Sequence, residues 1–310
     1  MKLRHLSVAC AVLAAAVSIT ACDTSDSSGS GSGTPSEQVK ADSSQGPAAT
    51  PEKGLAAGLS LPLEDYMQSY SQTVVISQAI RNLQTECMAR YGFDYKPPRA
   101  GNTPPPNDND ANIERRYGIT DRDLALKAGY GLGETAEQTR SQAPAMSKAA
   151  MLVLSGQTGG GPGAKPATSY EGKSIPKGGC SGWAIEKIGA HDLDFTLAGR
   201  LNHESLVRSQ ESREVRAALE DWSKCMKGKG YSIDIPYNAA DLAPEPGSVK
   251  QVQVATADID CKESTNLVKI WFEQDSAIQR KQIAENELTL LDARKKNEAA
   301  VKAAEQALRD

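Results

Sequence analysis

Cys87-Met88-Ala89-Arg90-Tyr91-Gly92-Phe93-Asp94-Tyr95 recurs further down the chain as Cys225-Met226-Lys227-Gly228-Lys229-Gly230-Tyr231-Ser232-Ile233. Both copies read Cys-Met, three residues, Gly, an aromatic, any residue, then an apolar side chain. Upstream of each, apolar residues fall every three to four positions, the period of one helix face. In the first copy they are Val75/Ile76, Ile80, Leu83 and Cys87/Met88; in the second, Val215, Leu219, Trp222 and Cys225/Met226. Gly92 and Gly230 stand where a left-handed residue ends a helix. Each copy thus reads as a helix terminus with its Cys facing inward. The expected fold is all-α, with two related helical halves built on these termini.

The ends of the chain narrow the body. Met1 to His5 is a short basic segment, and Leu6 to Ile19 is an apolar run too short to span a bilayer comfortably. The run ends in Ile19-Thr20-Ala21-Cys22, which resembles a bacterial lipobox. That resemblance implies removal of residues 1–21 and a diacylglyceryl anchor on Cys22. It also implies a place on the outer face of the cytoplasmic membrane. The alternative is an ordinary secretory peptide with Cys22 incidental. Two acyl chains are what stable anchoring requires. Residues 22–59 are rich in Ser, Gly, Pro and Ala, and read as a disordered tether. About thirty such residues reach roughly 30 Å. The division that follows is a first helical half at 60–195 and a second at 196–310.

The composition excludes several functions. Hydrophobic residues make up 39% and aromatics 5% of the 310 residues, which suits a polar-tailed helical body of roughly 200 to 250 residues. The net charge of −4 falls to about −6 once Lys2 and Arg4 leave with the signal. A mildly acidic chain carries no electrostatic footprint for nucleic acid. Ala167 to Ser174 fits a loose phosphate-binding loop. However, no strand precedes it and Ile175-Pro176 blocks a following helix, so nucleotide binding is not expected. No cofactor is implied.

Four cysteines remain beyond the anchor: Cys87, Cys180, Cys225 and Cys261. In an exported chain an even number argues for disulfides. Three pairings are open. Cys87–Cys180 and Cys225–Cys261 are preferred, because each Cys-Met copy then joins the next Cys downstream. On the chain-entropy account each such loop stabilises by up to about 4 to 5 kcal/mol. Cys-x-x-Cys and Cys/His clusters are absent from the sequence, so no metal site is expected.

The remaining stretches yield local expectations. Ser60-Leu61-Pro62 opens the first helix, and Tyr66 and Tyr70, one turn apart, read as packing rather than as ligand contacts. Thr120 with Asp123 resembles a capping box. Arg115 and Arg116 read as a solvated face or ion-pair partners rather than as an anion site. Ser147 to Leu154 is a short apolar helix. Leu197 to Lys227 reads as one helix and Ser232 to Tyr237 as a short strand, while 248–258 is ambiguous. A long helix then runs from about Cys261 to near Asp310. It is either a solvated extension or an arm that docks a partner. A heptad seam along it is interrupted by Gln274, Lys281 and Glu285. His191 beside Asp192 and Asp194, and His203 beside Glu204, read as surface residues, and no catalytic constellation emerges.

Taken together, several motifs resemble a group of uncharacterised actinobacterial lipoproteins. Besides the lipobox and the two Cys-Met repeats, these are Arg115 to Asp121 (Arg-Arg-Tyr-Gly-Ile-Thr-Asp), Gly178-Gly179-Cys180 and Asp258 to Lys262 (Asp-x-Asp-Cys-Lys). The resemblance covers most of 60–290 and implies an envelope location. No activity is assigned to that family, so it supplies no catalytic residues. The expectation is a non-catalytic accessory or binding module that contacts a protein partner of transport or wall-building machinery through the C-terminal helix. The alternatives are a solute- or wall-fragment-binding lipoprotein, and an envelope enzyme.

Overall fold

The two Cys-Met-x3-Gly copies end two helices in the same way. In the computed structural model, which describes residues 50–101, 112–131, 145–159, 161 and 163–309, α1 spans Tyr70–Ala89 and α7 spans Arg213–Gly228. After α1 the Phe93 N–H donates to the Met88 carbonyl and the Gly92 N–H to Ala89. After α7 the Tyr231 N–H donates to Met226 and the Gly230 N–H to Lys227. This is the Schellman pattern, and it needs a positive φ at the glycine. Gly92 has φ +82° and Gly230 φ +93°. The aromatic then folds back on the helix it terminates. Cys22 and the signal segment lie outside the described residues.

The fold is all-α. Between α1 and α7 lie α2 (Ile113–Arg116), α3 (Arg122–Ala128), α4 (Lys148–Ser155), α5 (Gly179–Lys187) and α6 (Thr196–Gln210). After α7 come α8 (Val249–Ser264), α9 (Leu267–Glu285) and α10 (Glu287–Ala307). The two strands, β1 (Ser169–Tyr170) and β2 (Lys173–Ser174), form a hairpin turned by Glu171 and Gly172, both at positive φ. The hairpin occupies the loose phosphate-loop match, so that stretch is strand-turn-strand and not strand-loop-helix.

Both preferred disulfides form. Cys87–Cys180 ties α1 to α5 with Cα atoms 5.5 Å apart, and Cys225–Cys261 ties α7 to α8 at 5.6 Å. The first sits in a core with Met88, Val153 and Ile175. The second adjoins the largest core, around Trp222, Trp271, Tyr117 and Met226. These cores do not follow the sequence division at 195/196. Ile113 and Tyr117, from the first half, pack in the core of the second, and α3 lies on α8. In return α10, from the second half, lies along α1, with Ala304 beside Ile76, Ala79 and Leu83.

Several boundaries differ from the sequence reading, each for a local reason. Residues 50–59 belong to the body and not to the tether: Ala56 is fully buried and the Leu55 N–H donates to the Thr120 carbonyl. The helix expected from Ser60 is a 3-10 turn over Pro62–Tyr66, and α1 begins afresh with Ser69 as its cap. Glu64 reaches back to the Leu61 N–H and the Ser60 hydroxyl, which closes that turn. Asp121, not Thr120, caps α3, because its carboxylate accepts from the N–H groups of Asp123 and Leu124. The run 197–227 is split where Ser212 caps α7. Residues 236–242 form a 3-10 turn in place of the end of the expected strand, and Val249 to Asp258 is helical.

The long C-terminal helical run is present and segmented. Asn266 adopts a left-handed conformation with φ +53° between α8 and α9, which Asn tolerates better than most residues. Asn286 interrupts α9 and α10, its amide donating to the Gln282 carbonyl. α10 is no projecting arm: Leu290, Ala300 and Ala304 are buried against the body.

Two outcomes follow. A Cβ at Gly92 or Gly230 would meet nothing within 4 Å, so substitution costs backbone strain alone. Gly92→Ala and Gly230→Ala should each lower stability by about 1–2 kcal/mol, read as a shift in guanidinium midpoint with disulfides intact. The bridges also differ in access. Cys87 and Cys180 are at most 1% exposed, whereas Cys225 is half-buried with its sulfur 3.8 Å from the surface Ser264 hydroxyl. Native-state reduction with dithiothreitol followed by alkylation should open Cys225–Cys261 well before Cys87–Cys180; equal rates would contradict the packing.

Candidate functional site

Two of the motifs that carry the family resemblance meet in space. Residues 115–121 leave α2 and wrap onto α8, which carries Asp258 to Lys262. Arg116, expected on a solvated face or in an ion pair, is 1% exposed and clamps Asp275 of α9. Its Nε donates to Asp275 Oδ2 at 2.6 Å and one terminal nitrogen to Oδ1 at 3.1 Å. The same nitrogen donates to the Asn202 carbonyl (2.8 Å) and to Ser205 Oγ (3.0 Å) on α6. The Tyr117 hydroxyl donates to Asp275 at 2.9 Å, and the Tyr237 hydroxyl donates to the Arg116 carbonyl. Gln279, one turn after Asp275, donates to Asn202 and Ser205 and accepts from the Leu63 N–H.

A second sealed pair lies beside it. Lys262 Nζ donates to Asp258 Oδ2 at 3.0 Å and to the Ile119 carbonyl at 2.9 Å. Trp222 Nε1 donates to the other Asp258 oxygen at 2.9 Å, and the Tyr130 hydroxyl to Oδ2 at 3.3 Å. Gly118 makes room for the ammonium, because a Cβ there would stand 2.7 Å from Lys262 Nζ. Both side chains are wholly buried. Burial pushes the Asp258 carboxyl up and pulls the Lys262 ammonium down, and each partner's charge offsets part of the shift. Burial likewise raises the Tyr117 and Tyr130 hydroxyls, with the neighbouring carboxylates acting in the same direction. Asp260, between these residues in sequence, faces outward to Arg122 and Lys229.

This cluster has charged and hydroxyl groups within bonding distance, as a catalytic centre does, but solvent does not reach it. Arg116, Asp258, Lys262 and Asp275 have side chains at 0% exposure. No substrate atom can approach them without unfolding, so the arrangement fixes α2, α6, α8 and α9 against one another. Among the described residues no group of three or more His, Cys, Asp or Glu is placed to hold a metal ion.

The open site lies elsewhere, along α10. A cleft of about 300 Å³ separates α10 from residues 190–198. Its floor includes Tyr66, Leu197 and Leu290; its rim carries His191, Asp192, Asp194, Asp292 and Lys296. Lys296 pairs with Asp292 at 2.6 Å, a bond that raises its ammonium pKa. Asp194 is lowered by accepting from the Thr196 N–H, at the start of α6. His191 lies 3.4 Å from Glu186 and 3.3 Å from Asp192. Those carboxylates are 76% and 61% exposed, so water screens the cluster. Tyr66 also walls a smaller depression of about 50 Å³ with Asp65, Gln68, Arg294 and Glu298. The Arg294 guanidinium stands 5.9 Å from the Tyr66 ring centre. Tyr66, assigned to packing from sequence, thus packs and lines the cleft; the Lys296–Asp292 spacing of four was the readable signal for this rim.

Comparisons with protein-family models, with characterised proteins and with solved structures returned no match.

The sealed pair makes a pH-dependent outcome. Lys262→Met leaves a buried carboxylate without its cation and should cost about 3–5 kcal/mol at pH 7. A carboxyl whose folded pKa is raised contributes stability below its unfolded value near 4, and that stability is lost as pH rises through the raised value. The deficit of Lys262→Met against wild type should therefore shrink between pH 7 and pH 5 in urea titrations. Asp258→Asn combined with Lys262→Met should recover most of the loss at pH 7.

Proposed function

We propose that the chain is a lipid-anchored, non-catalytic accessory module of the cell envelope, tethered through Cys22, that contacts a protein partner through the face presented by α10. One contrast carries this reading. The buried pairs Arg116–Asp275 and Asp258–Lys262 are sealed as structural ties, whereas the charged groups of the open cleft are solvated, and two bare leucines stand on the same helix, α10. Leu288 is 84% exposed and Leu291 42%. An apolar surface left in water beside polar rim residues suits an interface. Among the described residues no helix is long and apolar enough to cross a membrane, so attachment in this reading rests on Cys22.

A second reading, a solute-binding lipoprotein, draws on the cleft volume, which reaches the lower bound of ligand pockets. One aromatic ring and a mostly charged rim make it a poor enclosure for a neutral wall fragment.

Metabolic labelling with an alkyne fatty acid tests the anchor. The wild-type chain should be labelled and should fractionate with membranes. Cys22→Ser should lose both properties while keeping its disulfides. A labelled Cys22→Ser chain, or an unlabelled wild type, would remove the anchor from this reading.

A further inference from the structure

The partner's chemistry can be narrowed from the same face, and the argument rests on the accessory-module reading above. The cleft carries Asp192, Asp194 and Asp292 against Lys296. Three carboxylates less one cation leave a net charge of −2 at the rim, counting His191 as neutral, with Lys295 exposed further along the helix. Leu288 sits one turn before Asp292, so it stands on the rim side of α10. Leu291, three residues on, extends the apolar strip outward. The floor beneath is apolar, with Leu197 partly buried and Leu290 1% exposed. The face therefore offers a shallow apolar channel under an acidic rim, with an apolar shoulder beside it.

We propose that this face docks a basic segment of an envelope protein, whose Lys or Arg side chains meet Asp192, Asp194 and Asp292 while its apolar side chains cover Leu288 and Leu291. Charge complementarity selects the sign of the partner and disfavours other occupants. A second copy of this chain would set one acidic face against another across a two-fold axis. An anionic membrane surface carries the same sign as the face. A small amine fits the rim but leaves both leucines in water. A chain segment satisfies the rim and the shoulder together.

The test uses the full chain in its own cells, with a benzoylphenylalanine photo-crosslinker at Lys295, which is exposed on α10 one turn after Leu291. A second set carries the crosslinker at Leu126, exposed on α3. Ultraviolet light should give an adduct at Lys295 whose captured peptide has an excess of Lys and Arg. Asp192→Asn with Asp292→Asn should lower that yield by about fivefold or more, and Leu288→Ser with Leu291→Ser should lower it similarly. The variants' far-ultraviolet circular dichroism should match wild type, which separates lost docking from lost folding. Capture of a second copy or of an acidic peptide, or yields indifferent to the substitutions, would overturn the proposal. An adduct at Leu126 but not at Lys295 would sink this docking surface and leave the accessory role standing. No adduct at either site, with rim-dependent calorimetric binding of spermidine, would overturn both in favour of a solute.

Discussion

The bidentate contact between Arg116 and Asp275 is the constraint around which the body closes. An ion pair withdrawn wholly from water costs several kcal/mol per charge, and only ideal geometry with further hydrogen bonds offsets that cost. Here the further bonds are present: Tyr117 and both carboxylate oxygens of Asp275 are used, and Asn202 and Ser205 take up the far side of the guanidinium. Each partner comes from a different element, so the pair is satisfied only when α2, α6 and α9 are all in place. The contact adds little net stability over a well-packed apolar trio, but it admits one arrangement of those helices.

That constraint explains why the two halves interleave. Taken alone, the Cys-Met-x3-Gly repeats describe two separate units, each with its own helix end and disulfide. Arg116 and Lys262 cross between them. Arg116 reaches from the first half to Asp275 in the second, and Lys262 reaches back to the Ile119 carbonyl. Gly118 sits between these contacts with no side chain to obstruct either. The residues from Arg115 to Asp121 and from Asp258 to Lys262 are therefore two sides of one junction. Their chemistry resembles that of an active site because a buried junction between charged groups has the same need for partners. Access, and not residue type, separates the two.

What was legible in the sequence was what local physics decides. A glycine past an apolar 3–4 stripe and before an aromatic specifies a Schellman end, so Gly92 and Gly230 could be read directly. The next cysteine downstream of each Cys-Met copy supplied both bridges. Ser69, Asp121, Ser212, Asn266 and Asn286 were missed as boundaries although each carries a local signal. A polar cap inside a long favourable helix pattern is easily outweighed by the pattern around it. Burial of Arg116, Asp258, Lys262 and Asp275 was not legible, because whether a charge is solvated depends on segments distant in sequence. The cleft was half legible: His191, Asp192 and Asp194 were seen as a group, but α10, which forms its other wall, was read as a solvated extension or a projecting arm.

The docking of α10 onto α1 bears on the proposed contact with a partner. A free helical arm would bind by presenting a whole apolar stripe, and the stripe of α10 is already covered by Ile76, Ala79 and Leu83. The first turns of α10, beyond the reach of α1, keep Leu288 and Leu291 in water near the acid rim, and Leu308 is exposed at its far end. On the proposed reading, recognition at such a place would owe its sign to charge and its register to two leucines. The scaffold beneath is tied, because Gln279 and the Arg116–Asp275 pair hold α9 and the 3-10 turn at Pro62–Tyr66. A preorganised face loses less conformational freedom on binding than an arm that must first be ordered. The sealed junction and the open cleft are thus linked: the first removes freedom from the helices, so that the second presents its charges at fixed positions.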